Sequence, residues 1–145
     1  MYDFEKMDKR LLVFGFLFRV SNRLQNKMDA EMKDLTAKQW FVILALGLFE
    51  SPPTLKQLAA ACDTTHQNTK QLVRKLAEKG FVTISSDEKD GRVMRIAMTD
   101  QCERWDAENE KIAKLFIEKM FSGINTREAT VLSELLIKIS DNLGG

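Results

Sequence analysis

The stretch "TLKQLAAACDTTHQNTKQLVRKLAEKGFVTISSDEKDGRVMRIAMT", Thr54 to Thr99, changes its hydrophobic period partway along. Leu55, Leu58, Ala59 and Cys62 fall at i, i+3, i+4 and i+7, which is one buried stripe of a helix. Thr69, Leu72, Val73 and Leu76 repeat the pattern after an interval of three residues, Asp63 to Thr65. Two short helices with facing stripes and a tight turn make a helix-turn-helix. From Phe81 the period becomes two. Phe81–Ser85 and Val93–Met98 alternate as strands, with Val82 and Ile84 on one face and Met94, Ile96 and Met98 on one face. Asp90-Gly91 between them is a hairpin signal. Helix-turn-helix followed by a hairpin is a winged helix.

Working outward, the same start signal recurs. Thr36-Ala-Lys-Gln39, Thr54-Leu-Lys-Gln57 and Thr64-Thr-His-Gln67 all fit the capping box, in which hydroxyl and Gln side chains satisfy the first free N–H groups of a helix. Pro52 and Pro53 disfavour helix in the residues before them. Helices are therefore expected over 37–48, 55–62 and 66–79, the last ended by Gly80. Thr99 caps another over 100–121, and Asn125-Thr-Arg-Glu128 opens a last one carrying Val131, Leu132, Leu135, Leu136 and Ile139. The first helix, expected over Asp3 to Lys33, bears Met7, Leu11, Phe14, Leu17, Phe18, Leu24 and Met28 at helical spacings. Leu12, Val13 and Phe16 fill its other faces, so its middle must be covered from more than one side. In a chain this short, a second copy can supply that cover.

The 145 residues, 44% hydrophobic and 30% charged, suit one globular domain with a mainly α fold and a small β-hairpin wing. Leu11–Phe18, "LLVFGFLF", is shorter than the about 20 apolar residues of a membrane span and lacks a signal-peptide pattern, so the expected location is the cytoplasm. No Gly-rich phosphate loop, H-E-x-x-H or nucleophile elbow is present, and no reaction class or cofactor is implied. With His66 the only histidine, and Cys62 and Cys102 the only cysteines and in no C-x-x-C, a metal site is not expected either. The two cysteines read as small, partly buried apolar residues.

A net charge of +1 gives no global pull on nucleic acid, so any such activity rests on local clustering. At about 100° per residue, the outward face of the second helix is Gln67, Lys70, Gln71 and Arg74, with Thr65, His66, Asn68 and Lys75 at its edges. No acid occurs from Thr64 to Ala77. Gln and Asn can pair with adenine, Arg and Lys with guanine or phosphate. A Lys/Gln-rich face alone is often only solvated. As the second helix of a helix-turn-helix, this face points to duplex DNA. On the hairpin, Lys89, Arg92 and Arg95 are the cations. Asp90 and Arg92 stand two apart, so in extended chain they share a side and the carboxylate can aim the arginine into a minor groove. Asp87 and Glu88 read as a solvated turn.

These residues resemble the MarR (multiple-antibiotic-resistance regulator) family of winged-helix transcription factors over nearly the full chain. The likeness is carried by "LTAKQWFVILAL", the helix-turn-helix, "DGRVMRIAMT" and a closing "LLIKISDNL". It implies a homodimer interlocked through segments 1–35 and 100–145, with Leu11, Phe14, Leu17, Phe18, Leu115, Leu132, Leu136 and Ile139 at the dimer contact. A winged lobe over 36–99 would place Arg92, positioned by Asp90, in the minor groove. It implies a repressor of a palindromic operator that responds to a small-molecule effector held between the dimerisation helices and the DNA-binding lobe. Thr64 and Thr69 depart from the aliphatic residues usual there. The reactive cysteine of the peroxide-sensing branch, in the first helix, is absent, since no cysteine precedes Cys62. A winged helix that binds a protein partner, and a thiol-responsive regulator, are the competing readings.

Overall fold

A computed structural model describes residues 4–144. The elements are α1 (Lys9–Glu31), α2 (Ala37–Leu46), α3 (Leu55–Ala61), α4 (His66–Glu78), β1 (Val82–Ser86), β2 (Met94–Met98), α5 (Asp100–Met120) and α6 (Thr126–Asn142). The fold is mainly α with one antiparallel hairpin, as the change of period implies. Val42 of α2, Leu58 of α3, Val73 and Leu76 of α4 and Ile96 of β2 are almost wholly buried, and Trp105 of α5 packs edge-on against Phe81. This core sits inside the winged lobe.

Three capping boxes form as expected, at Thr36/Gln39, Thr54/Gln57 and Asn125/Glu128. The fourth does not. The N-cap of α4 is Thr65, whose hydroxyl accepts from the Asn68 N–H at 3.2 Å, and Thr64 and Gln67 form no box. The reason lies in how α3 ends. Asp63 takes a left-handed φ of 48°, Asp63 N–H donates to the Ala60 carbonyl and Thr64 N–H to that of Ala59. This pair of bonds closes α3 as a Schellman motif and commits Thr64 to the preceding helix. The end of α4 repeats it, with Gly80 at φ 79° and the Phe81 N–H on the Leu76 carbonyl. Phe81 therefore belongs to that closure and not to β1.

The first helix begins at Lys9, capped by Asp8, which accepts from the Arg10 N–H at 2.8 Å; the Asp3 end of the expected span lies outside the described residues. The helix meets the lobe through Met28 and, just beyond its end, Met32, both buried. Its middle is exposed: Phe14 is 60% and Phe18 64% accessible. No described residue of α6 is buried.

A polar bracket fixes the end of α4. The Lys79 ammonium donates to the Asp34 carbonyl at 2.5 Å and to the buried Gln39 Oε1 at 2.9 Å. The Asp34 carboxylate accepts from the Trp105 indole N–H at 3.0 Å. The α1–α2 connection, α4 and the start of α5 thus hold one another, which sets the direction in which α4 points.

Candidate nucleic-acid interface

Amphipathic spacing turns Thr69, Val73 and Leu76 of α4 into the core and leaves Thr65, His66, Gln67, Asn68, Lys70, Gln71, Arg74 and Lys75 exposed. Thr69 needs no partner from the core, because its hydroxyl donates to the Thr65 carbonyl at 3.0 Å. From Thr65 to Ala77 the exposed face carries no acid, and Glu78 stands at the end of the helix. It presents amides and cations in the arrangement that base edges and phosphates accept.

The hairpin departs from a two-residue Asp-Gly turn. Pairing stops at Ser86–Met94, and neither Asp90 nor Gly91 takes the positive φ that such a turn requires. The connection is longer because Asp87 organises it. Its carboxylate accepts from the N–H groups of Lys89 at 3.0 Å and Asp90 at 3.2 Å, and its own N–H donates to the Val93 carbonyl. A further turn runs from Asp90 to Val93, closed by the Val93 N–H on the Asp90 carbonyl at 2.9 Å.

Asp90 and Arg92 do meet, through this turn and not through extended chain. The Asp90 Oδ1 accepts the Arg92 backbone N–H at 3.0 Å and lies 3.6 Å from the Arg92 Nε. The guanidinium is tethered loosely on one edge, and the side chain is 96% exposed. Lys89 is exposed beside it.

Arg95 sits differently from the expectation of an outward wing cation. Its Nε donates to Asp87 and its Nη1 to the Pro52 carbonyl at 2.9 Å. A bridge between Arg95 and Thr54 and the Ile96 N–H on the Pro53 carbonyl lay the α2–α3 connection alongside β2. Asp87, assigned from sequence to a solvated turn, is the centre of this clasp, with its side chain only 14% exposed. The bond from Arg95, aided by those from Lys89 and Asp90, holds its carboxyl below the ordinary carboxylate range. The signal that was available is the charge pairing of Asp87 with Arg95; what hid it is that Pro52 and Pro53 complete the site from elsewhere in the chain.

Between α1, α2 and α4 lies a cavity of about 620 Å3. Leu24, Trp40 and Phe41 give it apolar walls, while Asn68 and Gln71 reach it from the exposed edge of α4. Cys62 also borders it. Burial pushes the Cys62 thiol up, and burial with Asp106 and Glu103 nearby does the same for Cys102. Neither is a poised thiolate. Among the described residues, no group of three His, Cys, Asp or Glu is placed to hold a metal ion, and no helix is long and apolar enough to cross a membrane.

Residues 33–93, the span from the α1–α2 connection into the wing, match the family model described as the MarR family. Over that span the chain is similar to the MarR family. Solved structures share the fold. The Bordetella bronchiseptica regulator BpsR, whose DNA binding is regulated by 6-hydroxynicotinic acid, is 23% identical, with 97% of this chain and 98% of that one covered at a TM-score of 0.77. S. aureus MepR, solved with DNA, is 22% identical over 90% of this chain and 97% of its own, TM-score 0.78. A MarR protein from Peptoclostridium difficile is 22% identical over 99% and 92%, TM-score 0.75.

Proposed function

We propose that this protein is a cytoplasmic homodimeric repressor of the MarR type that binds a palindromic operator and releases it on binding a small effector. The observation that carries the DNA reading is the exposed face of α4, without an acid from His66 to Ala77, set beside an arginine wing braced by its own carboxylates. In this reading Thr65, His66, Gln67, Asn68, Lys70, Gln71 and Arg74 face a major groove. Lys89 and Arg92, with Asp90 as tether, enter the adjacent minor groove. Segments 1–35 and 100–145 pair two copies through Leu11, Phe14, Leu17, Phe18, Leu115, Leu132, Leu136 and Ile139. All of these are exposed in the single chain except Ile139, which is half-buried. Two recognition helices then read half-sites about one helical turn apart.

The 620 Å3 cavity supports the effector half of the reading. Its size and its aromatic and aliphatic walls suit a small, largely apolar ring compound. Because Asn68 and Gln71 border it, an occupant changes the surroundings of two side chains assigned to DNA.

Arg92→Ala supplies the test. It should weaken binding to an operator selected from random duplexes about tenfold or more, the loss of roughly 1.4 kcal/mol or more that a single groove contact represents. The melting temperature should not move, since the side chain is exposed. Undiminished binding would remove the wing from the interface. A protein-binding winged helix instead predicts no salt-dependent retention on duplex DNA.

A further inference from the structure

Between the recognition helix and the wing is a second cleft, of about 250 Å3. Lys70 and Arg74, one turn apart on α4, line one side of it, and Ile84 of β1 and Met94 of β2 the other, above Val73 and Ile96. In the hairpin register Ile84 lies opposite Ile96 and Ser86 opposite Met94, so all four share the face on which Val82 and Ile96 enter the core. That face outruns the core. Its last two apolar residues, Ile84 and Met94, are 40% and 42% exposed. No acid lines the cleft, and the nearby wing acids Asp87 and Asp90 are engaged by Arg95 and Arg92.

We infer that this cleft receives the sugar–phosphate strand that separates the two grooves of duplex DNA. Lys70 and Arg74 neutralise its phosphates, and Ile84 and Met94 pack against its deoxyriboses. The inference rests on the DNA-binding reading above. A helix in a major groove and an arginine in the adjacent minor groove leave one backbone strand to pass between them. That strand repeats an anionic phosphate and an apolar sugar face at every nucleotide. One cationic wall facing one apolar wall matches this alternation, and the cleft is continuous with both α4 and the wing.

The assignment changes the division of labour on α4. Lys70 and Arg74 set position and affinity, while sequence preference falls to Gln67, Asn68 and Gln71. It also gives exposed apolar side chains on a wing a reason to be there.

The test compares the full-length protein on a duplex selected in vitro and on a scrambled duplex of equal length, by fluorescence anisotropy between about 50 and 200 mM salt. The double variant Lys70→Ala/Arg74→Ala should lose affinity for both duplexes by the same factor, with the salt slope lower by about 2. Ile84→Ala/Met94→Ala should weaken both duplexes equally at an unchanged slope. Ile84→Lys, a substitution at an exposed position, should strengthen both and raise the slope by about 1. A loss confined to the selected duplex in the Lys70/Arg74 variant would make these residues base readers and overturn the inference. So would full affinity in the Ile84/Met94 variant with unchanged circular dichroism, or weaker binding by Ile84→Lys. If the unaltered protein binds neither duplex in a salt-dependent way, the DNA-binding reading itself fails, and the cleft assignment fails with it.

Discussion

Asp87 and Arg95 meet across the base of the wing, a carboxylate oxygen accepting from the guanidinium Nε. The same two side chains reach in opposite directions. Asp87 gathers the N–H groups of Lys89 and Asp90 at the tip, and Arg95 reaches the Pro52 carbonyl in the α2–α3 connection. The loop that carries Arg92 is thereby fastened to the body of the lobe.

Removing that fastening should cost DNA binding more than folding. Asp87→Ala frees Arg95 and releases the Lys89 and Asp90 amides, so the Arg92 side chain samples more directions and loses affinity for duplex DNA. Asp87→Asn keeps an acceptor for the two amides and should fall between the variant and the parent. Anisotropy titrations beside thermal melts separate the effects. A melting temperature that falls in step with affinity would mean that Asp87 serves the fold alone.

The clasp also has a pH dependence whose sign follows from its bonds. Asp87 has its carboxyl pKa lowered from 3.8, first of all by the bond from Arg95. A group with a depressed folded-state pKa contributes stability above its unfolded value and loses it as the pH falls through the folded one. The wing should therefore stay fastened through neutral and mildly acidic pH and loosen only below the ordinary carboxylate range. Amide chemical shifts of Lys89 and Asp90 should titrate together there, and the transition should vanish in Asp87→Asn.

Both thiols should resist oxidation. Cys102 is buried and Cys62 half-buried, and both pKa values are raised from 9.0, so the thiolate at neutral pH is scarcer than in a free cysteine. Mild peroxide should leave DNA binding unchanged, and iodoacetamide should label Cys62 before Cys102. Intact-protein mass spectrometry reads both. A sulfenic acid or a disulfide formed together with loss of DNA binding would restore the thiol-responsive reading.

Gly80 is required by geometry at the end of the recognition helix. Its φ of 79° is one that side chains rarely adopt, and a Cβ there would stand 2.6 Å from the Gln101 Oε1. Gln101 in turn donates to the Lys79 carbonyl at 3.2 Å. Gly80→Ala should destabilise the protein by about 1–2 kcal/mol, the cost of a left-handed conformation for an L-residue, as read by urea unfolding.

Local rules made much of this molecule legible. Thr36, Thr54 and Asn125 cap helices because each has its partner three residues on, and the residue stripes of α3 and α4 identify their own buried faces. The rules stopped where two candidates were equivalent or where the partner was distant. Thr64 and Thr65 are chemically identical caps, and the choice is made by Asp63 adopting a left-handed φ to close α3. Asp87 looked like one more turn acid because its fixed position depends on Arg95 and Pro52, which only the folded chain assembles. The exposed residues of α4 were legible as a face, but the division between base and phosphate that we infer for them depends on where the hairpin brings Ile84 and Met94.

The first and last helices lead to the prediction about assembly. Leu11, Phe14 and Phe18 of α1 and Val131, Leu135 and Ile137 of α6 are 47–64% exposed in the single chain, and α6 buries none of its described residues. Apolar side chains concentrated on two helices mark an association surface. In the proposed homodimer a second copy covers these helices, and their stability is then tied to protomer concentration. The melting temperature should rise with protein concentration, and sedimentation should give a dimer. Phe14→Glu/Phe18→Glu should give a monomer that retains the buried lobe around Leu58, Leu76 and Ile96 but loses high-affinity binding to a palindrome, because one recognition helix then acts alone. Non-specific, salt-dependent binding should persist in that monomer. A double variant that still sediments as a dimer would move the interface away from the middle of α1.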